Sequence, residues 1–266
     1  MNNRYATTHY ALRCFTLLFA LLLTLLSACA PQTMSGERMA QANGLYESGE
    51  YAEAIQAYQT LVDIGVDDGA LYYNLGNAYF KAGDLGRAIL NYRRAQHRLP
   101  RDADVAANLR LARAQTQDQL EPEESAAGVQ LIEHLLVDWT TRSEIAALAL
   151  ALWIIWCGLL ILALLTRRQP RGQRVIRTLV GVVGVLLLLS ALSLGIRMWS
   201  ARGPTPAVIV AESIEVRSGP GVDYLTEFTL HAGAEVRIIE TRGQWARIAL
   251  PGDLQGWAPE TAVEEL

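Results

Sequence analysis

The sequence predicts a multidomain membrane protein, built from an all-α helical-repeat domain, a two-helix transmembrane hairpin and a small all-β barrel. Three observations predict it. Two long apolar runs, Ile145 to Leu165 and Leu179 to Ile196, stand close together. Before them the chain repeats itself at an offset of about 34 residues, and after them its hydrophobic residues alternate with period two.

The apolar runs come first because they decide where everything else lies. At about 1.5 Å per residue they extend roughly 31 and 27 Å as helices, against a hydrocarbon core of about 30 Å, so 145–165 and 179–199 read as membrane spans. The connection, 166–178, carries Arg167, Arg168, Arg171, Arg174 and Arg177 with no Asp or Glu. A short basic loop stays cytoplasmic, which places both flanking soluble segments outside the cytoplasm. Neither run contains Asp, Glu, Lys, Arg or His, whereas pumps and ion pathways need such residues, so the hairpin reads as an anchor in membrane lipid. Gly181 and Gly184 let the second helix approach the first, and Trp199 suits the outer interface.

Residues 1–30 read as a signal peptide: Arg4 and Arg13 begin it, Phe15 to Leu26 form its apolar core, and small residues close it. The tetrapeptide Leu26-Ser27-Ala28-Cys29 resembles the bacterial lipoprotein box, which implies lipidation at Cys29. Cleavage after Ala30 and an uncleaved anchor are the alternatives. All three export the chain beyond residue 30, in agreement with the arginine loop.

From Glu37 to about Gln119, placing Gly49 over Gly83 also superposes Asn43 on Asn77, Ala54 on Ala88, Ile55 on Ile89 and Tyr58 on Tyr92. The second copy puts Tyr72, Leu75, Gly76 and Tyr79 on a first helix, Gly83 at the turn, Ala88, Tyr92 and Ala95 on a second, and Pro100 at its end. Small residues at Gly76 and Ala88 allow close helix packing, and the tyrosines fill the space between. This stretch, 37–119, resembles the tetratricopeptide repeat family: two repeats plus a capping helix opened by Asp102. The first copy departs at Arg38 and Gln41, as a terminal repeat does. Because a solenoid usually needs three or more repeats, partner repeats or the membrane-proximal region are expected to complete the stack. The resemblance implies a protein-binding groove on the first helices, with Asn43, Tyr46, Tyr73, Asn77, Phe80 and Lys81 on or near it. A purely structural role for each asparagine is the competing reading. Residues 120–144 read as a polar linker followed by an amphipathic juxtamembrane helix over Val129–Trp139.

The tail, 204–266, shows paired apolar residues Val208/Val210, Ile214/Val216, Phe228/Leu230, Val236/Ile238 and Ile248/Leu250, separated by Gly- and Pro-rich turns. Five short strands of this kind suggest a small barrel. Val216-Arg217-Ser218-Gly219-Pro220-Gly221, Gly243-Gln244-Trp245 and Gly256-Trp257-Ala258 resemble the bacterial SH3 domain. That resemblance makes Arg217, Tyr224, Trp245 and Trp257 the residues to test for a peptide-binding or cell-wall-binding groove, with Trp257 also read as core.

Composition excludes several functions. The tail holds four arginines against ten carboxylates, a balance that disfavours nucleic acid. Cys14, Cys29 and Cys157 lie in the leader or the first span, so neither a disulfide framework nor a zinc cluster is expected. His9, His97, His134 and His231 are dispersed, no phosphate-binding loop is present, and no catalytic residues, cofactor or metal are assigned.

The order leader, repeats, hairpin and SH3-like tail is similar to that of BatE-type proteins of bacterial Bat (aerotolerance) operons. The resemblance implies a scaffold in an envelope complex with membrane-anchored von Willebrand A domain proteins and a MoxR-type ATPase. A cell-wall sensor or amidase activator, binding peptidoglycan through the tail, is the alternative.

Overall fold

The structure, a computed structural model, describes residues 33–118, 140–166, 170–200, 203–252 and 254–266. The leader with Cys29 and the juxtamembrane helix expected over Val129–Trp139 lie outside the described residues.

The first part is helical: α1 (Thr33–Glu47), α2 (Tyr51–Asp63), α3 (Gly69–Ala82), α4 (Leu85–Arg98) and α5 (Ala103–Arg113). Aspartates start three of these helices, because a side-chain carboxylate satisfies amide donors that lack intrahelical partners. Asp68 accepts from the amides of Ala70 and Leu71, Asp84 from Arg87, and Asp102 from Asp104 and Val105. Gly83 ends α3 in the left-handed region (φ 85°), which lets α4 fold straight back on it. Ala54, Tyr58, Leu71, Leu75, Ala88 and Tyr92 form the buried seam. A Cβ on Gly76 would lie 2.8 Å from the Tyr92 ring, so glycine there sets how closely α3 and α4 approach.

Two apolar helices come next, α6 (Arg142–Leu165) and α7 (Pro170–Ser200). Both are long and apolar enough to cross a membrane. Thr141 caps α6 reciprocally with Glu144. The basic connection differs from the expected loop over 166–178: α7 already begins at Pro170, so Arg171, Arg174 and Arg177 belong to the helix. Proline at a first helical position gives up an amide that has no intrahelical acceptor, and its fixed φ favours helix. Between the helices, the Trp156 indole donates to the Val180 carbonyl at 3.1 Å. Its nitrogen lies 3.2 Å from where a Gly184 Cβ would stand, whereas Gly181 faces open space. Of the two glycines, only Gly184 takes part in close packing.

The last part is an antiparallel sheet of seven strands in the order β3-β2-β6-β5-β4-β1-β7. The strands are β1 (Thr205–Ile209), β2 (Ser213–Arg217), β3 (Thr226–His231), β4 (Glu235–Arg242), β5 (Trp245–Ala249), β6 (Gln255–Pro259) and β7 (Val263–Glu265). That is two more than the five expected. The missed pair are β6, whose Gly256-Trp257-Ala258 is buried throughout and does not alternate, and β7, a short strand behind a 3-10 turn. Val216, Ile248, Ala246 and Ala258 fill the sheet's own core.

The helical part and the sheet pack together. Val208 and Val210 are buried in the same apolar cluster as Ile89, Leu90 and Tyr92, with Leu266 against it. Around that seam Arg93 and Arg113 converge on Glu235 (3.2 and 2.6 Å), Arg87 pairs with Glu264 (3.4 Å), and Asp118 meets His231 (3.1 Å).

Candidate protein-binding groove

The repeat carries a polar ladder with the same offset as its sequence. In the first copy the buried Tyr58 on α2 donates its hydroxyl to Asn43 Oδ1 on α1 at 2.7 Å, and Asn74 on α3 donates to the same oxygen at 3.0 Å. In the second, Tyr92 on α4 donates to Asn77 Oδ1 on α3 at 2.8 Å, and Asn108 on α5 donates to it at 2.9 Å. Each rung therefore joins both helices of one copy to the first helix of the next. Asn108 also donates to the Tyr73 hydroxyl at 3.0 Å. Residues 74 and 108 stand one repeat apart, so α5 occupies the place of a third first helix.

This geometry shows how the candidate asparagines are held. Each uses its carbonyl oxygen as a double acceptor for a buried phenol and a neighbouring amide. Burial keeps these phenols neutral: Tyr58 is pushed up to about 12 from its ordinary value of 10, and burial also raises Tyr92 and Tyr46. A neutral phenol remains a donor, as the ladder requires. The asparagines themselves are half-buried, and the rungs use their carbonyl oxygens rather than their amide nitrogens.

Of the other groove candidates, Tyr73 lies 6.2 Å from the Tyr92 ring and Tyr46 5.5 Å from Tyr51, both half-buried. Phe80 packs on the helical core, and Lys81 is exposed in the last turn of α3. The sequence alone points to no ligand-facing role for Asn74 or Asn108. The signal for them was present, since the same offset that pairs Asn43 with Asn77 pairs 74 with 108.

The sheet candidates are distributed differently. Arg217 on β2 sits opposite Trp257 on β6, which is opposite Arg247 on β5. The Arg217 guanidinium is engaged within its own hairpin, with the carbonyls of Val222 and Tyr224 and with Glu215 at 2.7 Å. Trp257 is 7% exposed, with the Arg242 guanidinium 5.3 Å from its ring centre. Tyr224 is half-exposed against Gly219. Trp245 lies at the far end of β5, opposite Pro259. Arg217, Tyr224 and Trp257 are thus neighbours, and Trp245 lies diagonal to Trp257 on the same face, with Arg242 opposite Trp245 and over the Trp257 ring; of the three rings, Tyr224 and Trp245 offer surface.

Among known families, the TPR repeat matches residues 42–83, from the middle of α1 to the turn after α3. No curated protein matches the chain. The helical part thus carries a TPR repeat, a type of module that binds proteins.

Proposed function

We propose that this chain is a non-enzymatic, membrane-anchored scaffold that holds a protein partner in the groove lined by α1, α3 and α5. The observation that carries the reading is the TPR match over residues 42–83, a module type that points to protein binding. The ladder through Asn43 and Asn77 locks the first helices that line the groove at one-repeat spacing. Tyr46, Tyr73, Phe80 and Lys81 supply aromatic and cationic contacts beside it. Half-buried rings already held by their neighbours offer contact area at little entropic cost, and the exposed Lys81 favours an acidic segment.

In this reading α6 and α7 cross the membrane, the arginine-rich connection stays inside, and both soluble parts lie outside. Support comes from the packing of residues 33–118 on 203–266, which requires one compartment for both and therefore an even number of crossings between them. The SH3-like tail adds a second interaction surface at Tyr224 and Trp245. Its resemblance, with the order of modules, makes an envelope complex of the Bat and MoxR type, with von Willebrand A domain proteins, the partner class to test. Cys29, if lipidated, adds an acyl anchor.

Affinity purification of the full chain from envelope membranes tests this. Partners lost with Lys81→Ala and Tyr73→Ala, but kept with Tyr224→Ala and Trp245→Ala, support the groove. Partners unaffected by both groove changes would overturn it. Retention on insoluble peptidoglycan that depends on Trp245 would favour the cell-wall sensor instead.

A further inference from the structure

The two repeat copies differ most where a free repeat faces water. On α2, the outer positions are Ala52, Glu53 and Gln56, all exposed, with the half-buried Ala57 beside them. One repeat later α4 has Gly86, Arg87, Leu90 and Asn91, of which Gly86, Leu90 and Asn91 are buried. Three features of that face fit the sheet. Leu90, at 1% exposure, replaces a glutamine and joins Val208 and Val210 in one apolar cluster. Gly86 leaves room for the backbone of the sheet, since a Cβ there would lie 2.7 Å from the Ile209 carbonyl oxygen and 2.9 Å from Val210 Cα. The flanking side chains are basic on α4 and at the end of α5, and they meet acidic residues or a carbonyl on the sheet: Arg87 with Glu264, Arg93 and, from α5, Arg113 with Glu235, and Arg94 with the Glu265 carbonyl.

We propose that the outer face of α4 is a dedicated docking site for this chain's own C-terminal sheet. The contact makes residues 33–118 and 203–266 one rigid body closed across the α6–α7 hairpin, rather than two independently tethered adaptors. The ligand of the β1–β7 side of the sheet is therefore internal. Docking uses the outer face of the second helix, so it leaves the groove on the first helices free, and the two can be occupied together. A second tie runs the same way: Arg101, at the start of α5, pairs with Glu144 in the first turn of α6. This inference does not depend on what binds the groove, and it holds if the partner reading fails.

The test is a thiol crosslink in the full chain in detergent, with Cys14, Cys29 and Cys157 replaced by alanine. Arg94→Cys and Glu265→Cys, neighbours across the contact whose replacement leaves the Glu235 and Glu264 ion pairs in place, are joined by a short bis-maleimide. The disrupting variant Gly86→Ala/Leu90→Gln/Asn91→Ala places on α4 the residues that α2 carries at the same positions, so each is compatible with a folded repeat. The docking equilibrium constant is expected to fall about tenfold or more, since burying one leucine is worth at least that, and crosslinking slows as the docked fraction falls. Val210→Glu, made on the sheet side with the repeats untouched, is expected to do the same while helical circular dichroism is unchanged. Crosslinking at the parent rate in both variants, or no crosslink in the parent, would overturn the proposal.

Discussion

Asn77→Ala is the sharpest probe of the groove, because it separates a structural asparagine from a ligand-binding one. The substitution removes the acceptor of two hydrogen bonds, from Tyr92 at 2.8 Å and Asn108 at 2.9 Å. Asn108 keeps the Tyr73 hydroxyl, so its loss is small. Tyr92 is 1% exposed; its hydroxyl donates to Asn77 Oδ1 and also interacts with the Asn108 side chain. Leaving such a donor unsatisfied costs about 1–3 kcal/mol, while alanine regains up to about 0.7 kcal/mol of helix propensity. The net expectation is a loss of about 0.3–2.3 kcal/mol. Urea unfolding of the full chain in detergent, followed by far-ultraviolet circular dichroism, measures it. Pairing the change with Tyr92→Phe removes donor and acceptor together, so the double variant should recover much of the loss and show a coupling of about 1 kcal/mol. Strictly additive single effects, or an Asn77→Ala variant as stable as the parent, would refute the reasoning and free Asn77 for a purely ligand-facing role.

The same contacts set further expectations. Gly86→Ala alone has a diagnostic sign: it should stabilise a free helix by about 1 kcal/mol, yet here melting temperature should fall, because the added methyl meets the Ile209 carbonyl. Glu235→Gln should cost about 0.5–1 kcal/mol in low salt, since its partners are partly exposed, and the cost should shrink in high salt, as read by thermal unfolding at two ionic strengths. The tyrosines make the helical part base-labile. Burial holds Tyr58 at about 12 against an ordinary 10, so its contribution is complete below pH 10 and is lost as pH rises from 10 towards 12. Circular dichroism against pH should show no loss of helix up to about pH 9 and a fall that tracks phenolate absorbance; a fall beginning near pH 7 would contradict the assignment.

Several features were legible in the sequence because they rest on local chemistry. The helix start at Asp102 follows from side-chain capping, and the glycine turn at Gly83 follows from a backbone angle that other residues avoid. Period-two alternation marked β2 to β5, since each of those strands buries one face, whereas β1 buries both, Ala207 and Ile209 in the sheet's core and Val208 against the helices. It missed β6, where Gly256, Trp257 and Ala258 are all buried and no alternation exists to be read. At the candidate site the asparagines of the first helices were visible as repeated letters, but their hydrogen bonds to Tyr58 and Tyr92 join helices and depend on packing. The role of Arg217 was likewise hidden: nothing in its local sequence says that its guanidinium braces the carbonyls of its own hairpin.

By itself, then, the sequence determined the helical repeat, the two apolar helices and a strand-rich tail, because periodicity and capping act within a few residues of one another. Only the tertiary structure decided that the tail packs on α4. That contact depends on Leu90, Gly86 and Val210 meeting across more than a hundred residues of chain, and one leucine in place of a glutamine carries no local signal of what will cover it. The sheet packs on the outer side of α4, beside the end of α5, and buries apolar surface that two repeats alone would leave in water.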